Sequence, residues 1–175
     1  MRADDMRGSR QPASTEPPTR MTDAAQDATT AEAFVPLRWE RFGPERQVLV
    51  TFVLPGAIPD PVWDAMVEDE LKSPDLRFVL TVTVGRAVVN SLQRKKAAEV
   101  LVKNNVQTIV VTDDSLTRGI ATAVSWLGVR LKAYRWTDLD RAVMMLQMPE
   151  SDGKSITEAA QSFLLQSQNA AKAKA

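Results

Sequence analysis

The stretch QTIVVTDDSLTRGIATAVSWLGVRLKAY, Gln107 to Tyr134, reads as strand, turn, helix, stop and strand. Thr108-Ile-Val-Val-Thr112 is a short β-branched run, which suits a strand buried on both faces. Asp113, Asp114 and Ser115 break that run and supply side-chain oxygens able to cap a helix. Leu116, Ile120, Ala123 and Leu127 then recur at three or four residues, the spacing of one helix face. Gly128 stands where a left-handed stop residue belongs. Val129 to Tyr134 is extended again. The unit is β-α-β, and its connection is expected to be right-handed.

Outward from this unit, the chain supplies further elements on both sides. Toward the N-terminus, Leu37 to Phe42 alternates apolar and polar residues, and Gln47 to Leu54 is a second extended run. The short Gly43-Pro44-Glu45-Arg46 turn between them favours an antiparallel hairpin. Asp60 before Pro61 is the signal of a helix start, and Ser73-Pro74-Asp75 stops that helix. Arg77 to Val84 is a third strand, and a long helix of roughly Val88 to Lys103 follows it. Toward the C-terminus, Thr137-Asp138-Leu139-Asp140 resembles a capping arrangement for a helix ending before Pro149. Residues 151–154 read as a linker. Ser155 and Glu158 form a capping box for a short amphipathic helix, with Ile156, Ala159, Ala160, Phe163 and Leu164 on one side. Residues 1–33 carry almost no large apolar side chains and are expected to be a disordered tail.

The expected fold is therefore α/β. One domain over residues 34–149 holds a mixed, mostly parallel sheet of about five strands, with an N-terminal hairpin and about four helices. Residues 150–175 add the linker and the amphipathic helix.

Composition removes several classes of chemistry. The 175 residues include no Cys and no His, and the formal net charge is zero. Thiolate and imidazole catalysis, disulfides and the usual zinc sites are thereby excluded. Bulk charge gives no reason to expect nucleic acid. No apolar run approaches the roughly 20 residues of a membrane span. The N-terminal arginines lack the apolar segment of a secretory signal. The expectation is a cytoplasmic protein with no cofactor, no metal and no catalytic residue.

The order of elements, and a set of residues spread along it, resembles a known family. Asn90, Gln93 and Arg94 open the long helix. Val111-Thr112-Asp113, Arg118-Gly119 and Trp126-Leu127-Gly128 follow. This pattern, over about Arg38 to Met148, is similar to bacterial STAS/SpoIIAA-like domains of the STAS/SEC14 type, related in fold to anti-sigma-factor antagonists. The resemblance implies a non-enzymatic regulatory or scaffold module that binds another protein. One departure stands out. The antagonists carry a phosphorylated Ser in an Asp-Ser-Ser-Gly-like turn, and this chain has Val84-Gly85-Arg86-Ala87-Val88-Val89-Asn90-Ser91 there, without the Asp or the following Gly.

Candidate sites follow from the fold class. Ligands of open α/β sheets gather beyond the carboxyl ends of the strands, where helix N-termini present free N–H groups. Two such places are expected side by side: Arg86, Asn90, Ser91, Gln93 and Arg94 after the third strand, and Asp113, Ser115 and Arg118 after the fourth. The three arginines suit a phosphate or carboxylate. Equally, Asp113 and Ser115 serve as caps and Arg118 as a solvated side chain. Arg94-Lys95-Lys96 reads as a basic patch or as a solvated helix face. Ile156, Phe163 and Leu164 are candidates for docking a protein surface, the chain's own, a second copy's or a foreign one. Protein–protein binding is thus the leading expectation, and a small anionic or lipid-like ligand at the helix N-termini is the alternative.

Overall fold

The computed structural model describes residues 36–173. The expected tail, residues 1–33, lies outside the described residues. β1 (Leu37–Phe42) turns back into β2 (Val48–Val53), and a two-residue strand β3 (Gly56–Ala57) leads to α1 (Asp60–Met66). A π-helical turn, Val67–Leu71, extends α1. β4 (Phe78–Thr83) and the two-residue β5 (Ala87–Val88) precede α2 (Ser91–Lys103). β6 (Gln107–Val111), α3 (Ser115–Ser125) and β7 (Arg130–Tyr134) form the central β-α-β unit. A 3₁₀ turn, Trp136–Asp138, then gives way to α4 (Leu139–Met144) and α5 (Glu150–Ala173).

The main sheet runs in the order β1-β2-β4-β6-β7. β1 is antiparallel to β2, and every other pair is parallel. The α/β class, the mixed five-stranded sheet and the N-terminal hairpin agree with the sequence reading. The short pair β3–β5 is an addition. It is too brief for any periodicity to announce it.

Side-chain alternation sends the strand residues to two cores. On one face Leu49, Val53 and Val79 pack with Met66, Leu71, Ala97 and Leu101 of the α1–α2 layer. On the other, Val50, Phe52, Leu80, Val82 and Ile109 pack with Leu139 and Val143 of α4, Leu146 just after it, and Ile156 and Phe163 of α5. β2, β4 and β6 are covered on both faces, as their nearly continuous apolar sequences require, whereas β7 has no buried residue.

Four readings of the sequence need correction. First, α5 begins at Glu150, so residues 151–154 are helical and not a linker. Ser155 sits inside the helix, and its hydroxyl donates to the Ser151 carbonyl. A capping box needs a non-helical first residue, and Ser155 is not one. Second, the buried side of α3 is Thr117, Ile120, Ala121 and Val124, whereas Leu116 and Leu127 are exposed. The apolar residues cover about half of this helix, and the stripe chosen by spacing shares only Ile120 with the side that packs. Third, the Thr137 expected to cap the helix before Pro149 lies inside a 3₁₀ turn, and α4 begins after it with no side-chain cap bond. Fourth, Asp60 is the first residue of α1 and caps nothing in its own helix. Its carboxylate serves α2.

Candidate functional site

At the start of α2, Asn90 is the cap residue. Its side-chain oxygen accepts from the Gln93 N–H at 2.9 Å, and the Gln93 side-chain oxygen Oε1 accepts from the Asn90 N–H at 3.0 Å. Gln93 Nε2 donates on to the Ile58 carbonyl at 2.9 Å and to Asp60 at 2.7 Å. Asn90 Nδ2 also donates to Asp60. Gln93 is buried, and these bonds satisfy its amide. Asn90 and Gln93 therefore join the beginnings of α1 and α2. Ser91 is the first residue of α2 and is exposed.

At the start of α3 the cap is Asp114, not Asp113 or Ser115. Its Oδ1 accepts from both the N–H and the hydroxyl of Thr117, each at 2.7 Å. Those two bonds hold the Asp114 carboxyl below its ordinary range, and the positive fields of Arg86 and Arg118 add to the shift. Asp113 instead accepts from the Trp136 N–H at 3.2 Å, tying the β6 turn to the β7 exit. Ser115 is exposed. Both helix N-termini are thus occupied by the chain's own oxygens, and the donors expected to hold an external anion are partly spent.

The triplet Arg94-Lys95-Lys96 is dispersed. Arg94 donates to the Val89 carbonyl, Lys95 lies 3.9 Å from Glu99, and Lys96 pairs with Asp64 at 2.8 Å. The hydrogen bond that Lys96 donates to Asp64 holds its ammonium pKa above the ordinary value.

A different cluster of cations does assemble. Arg118 of α3, Lys132 of β7, Arg135 just after it and Arg141 of α4 line one cleft with Tyr134, Ala133 and Asp138. None of the four cations makes an ion pair among the described residues. Arg118 reaches only the Thr112 and Asp113 carbonyls, at 3.4 and 3.5 Å. The cleft runs along β7, which among the described residues ends the sheet and has a strand on one side only. Sequence reasoning found Arg118 alone, because the other cations come from a strand, a turn and a helix up to 23 positions away, as the separation of 118 and 141 shows.

A second feature lies under the helices. Between one sheet face and α1, α2 and α3 is a cavity of about 160 Å³ with an almost wholly apolar lining. Its floor includes Thr51, Thr81, Thr83 and Thr108. Thr51 and Thr81 share a hydrogen bond of 2.8 Å, whereas the buried hydroxyls of Thr83 and Thr108 have no partner among the described residues.

The docking candidates of α5 face inward. Ile156 and Phe163 are buried on the chain's own sheet, Phe163 lies edge-on to Phe52 at 5.4 Å between centroids, and Leu164 is half-buried. Arg38 sits over Phe52 at 4.7 Å and near Phe163 at 5.7 Å.

Among the described residues no group of three or more acidic side chains is placed to hold a metal, and no helix is long and apolar enough to cross a membrane. No known protein family's profile matches the chain, and no curated protein matches it in sequence.

Proposed function

We propose that this chain is a non-enzymatic binding module of the STAS/SpoIIAA-like type, and that it acts by holding an acidic segment of another protein along β7. The observation that carries this reading is the convergence of Arg118, Lys132, Arg135 and Arg141 on the open sheet edge without carboxylate partners. Cations left unpaired on one surface attract a partner of opposite sign and steer its approach. An unpaired strand edge offers backbone donors and acceptors at the same place, and an extended peptide can pair with them. A phosphate or a nucleic-acid backbone satisfies the charges but not the edge. The hairpin-led mixed sheet and the Asn90, Gln93 and Arg118 pattern support the STAS/SpoIIAA-like assignment. The absence of Cys and His from the sequence supports a role in binding over one in catalysis.

The test is titration with an extended, Glu/Asp-rich peptide, read through backbone amide shifts. Shifts centred on Arg130 to Tyr134, weakening as salt is raised and lost in the Arg135→Glu/Arg141→Glu double variant, are expected. Equal response to inorganic phosphate, or shifts scattered over the α1 side, would return the cleft to the role of a charged edge that resists aggregation.

A further inference from the structure

The cavity beneath α2 and α3 has a direction. In an α/β unit the carboxyl end of a strand and the start of the following helix lie at the same end. Thr83 ends β4, Arg94 is in the first turn of α2, and Thr117 is in the first turn of α3. All three line the cavity at that end. Thr108, near the start of β6, and Leu101, near the end of α2, line the opposite end. Thr108 pairs in register with Val79, four residues before Thr83. At about 3.3 Å per residue the floor therefore spans roughly 13 Å.

Three observations suggest that something belongs there. The volume, about 160 Å³, matches that of an apolar cavity known to admit a benzene-sized molecule. Two hydroxyls on its floor are buried without partners. Buried polar groups are nearly always satisfied, so each orphan needs an explanation. A change of rotamer exchanges a threonine's hydroxyl for its methyl group, so an occupant of the cavity can provide the missing partner. Finally, Arg94 is only partly exposed, has no carboxylate partner among the described residues, and uses a guanidinium nitrogen on the Val89 carbonyl. A guanidinium has five N–H donors, so several remain for a ligand.

We infer that the cavity is a binding site for a small carboxylic acid with a hydrocarbon body, its carboxylate toward Arg94 and Thr83 and its chain along the sheet toward Thr108. A guanidinium recognises a carboxylate through parallel N–H bonds, and the nearly apolar walls suit the chain. This site lies on the sheet face under α1, α2 and α3 and shares no lining residue with the β7 cleft.

Octanoate is the probe, with octanol as its neutral counterpart, and side-chain methyl resonances are the readout. Octanoate shifts the methyl signals of Val110, Ile120 and Leu131, which line the cavity, and raises the melting temperature. Arg94→Met keeps an apolar stem in place and removes the charge. It weakens octanoate by about tenfold or more while leaving octanol unchanged, since a charge-assisted bond is lost for the acid alone. Octanoate that leaves all three methyl signals in place overturns the inference. So does octanoate binding that Arg94→Met does not weaken. An Arg94→Lys variant guards against a folding artefact: it retains the charge and restores most of the binding if the site is as described.

Discussion

At the residue scale, Asp114 shows how one side chain can decide between two uses of a helix start. The dipole and free N–H groups at the beginning of α3 favour negative charge. The chain supplies that charge itself, through the bonds from Thr117 to Asp114. Because the folded carboxyl is held below its ordinary value of 3.8, its contribution to stability is complete above that value. It is lost as the pH falls through the lower, folded value. Asp114→Asn keeps the accepting oxygen and is expected to hold neutral-pH stability near that of the parent while flattening this part of the acid limb. Asp114→Ala removes the cap and lowers the denaturation midpoint at every pH above the limb. Denaturant titrations between pH 2 and 7 separate the two, and an unchanged acid limb in Asp114→Asn would assign the pH dependence to another carboxylate.

At the scale of elements, α5 is the instructive case. Its apolar stripe was legible in the sequence, and so was the need to cover it. The surface that covers it was not, because amphipathicity states that a face is buried and not against what. The structure lays Ile156, Ala160 and Phe163 on the sheet face opposite α1 and α2. Phe163→Ala is thus expected to cost about 3–5 kcal/mol of folding stability, the range for a buried aromatic. Urea unfolding measures it, and a midpoint equal to the parent's would mean that α5 does not stay on its own sheet in solution. The strands of the main sheet were readable because β-branched runs bounded by turn residues are a strong local signal. The stripe of α3 was not, since Leu116, Trp126 and Leu127 remain exposed while Thr117 faces the sheet. Tertiary packing chose that face, and a threonine on the inner side hides it from any apolar count. The same limit applied to the sites. Local pattern suggested caps and arginines near each other, but the cluster of Lys132, Arg135 and Arg141 with Arg118 exists only after β7 is placed at the sheet edge.

At the scale of the whole molecule, the two faces of the sheet are built differently. The face under α4 and α5 is hydrocarbon, with Leu80, Val82, Ile109 and Val111 all fully buried. The face under α1, α2 and α3 carries four threonines and a cavity. Ile109→Ala cuts into the close-packed side and is expected to cost about 2–5 kcal/mol. The threonine face invites the opposite experiment. A buried hydroxyl without a partner carries its desolvation cost with no return, so replacing it by a methyl of the same shape is favourable. Thr83→Val and Thr108→Val are each expected to raise the stability of the empty protein, by about 1 kcal/mol. Thr51→Val is the control. Its hydroxyl is bonded to that of Thr81 at 2.8 Å, and its removal strands the partner, so stability falls by a similar amount. Natural chains rarely sit at their stability optimum, and residues that lower it tend to be kept where function needs them. If Thr83→Val gains stability and at the same time loses affinity for octanoate, the threonine is retained for the ligand. A Thr83→Val protein less stable than the parent would show that the hydroxyl already has a partner in the empty cavity, water being the simplest, and would remove one of the supports for a ligand there.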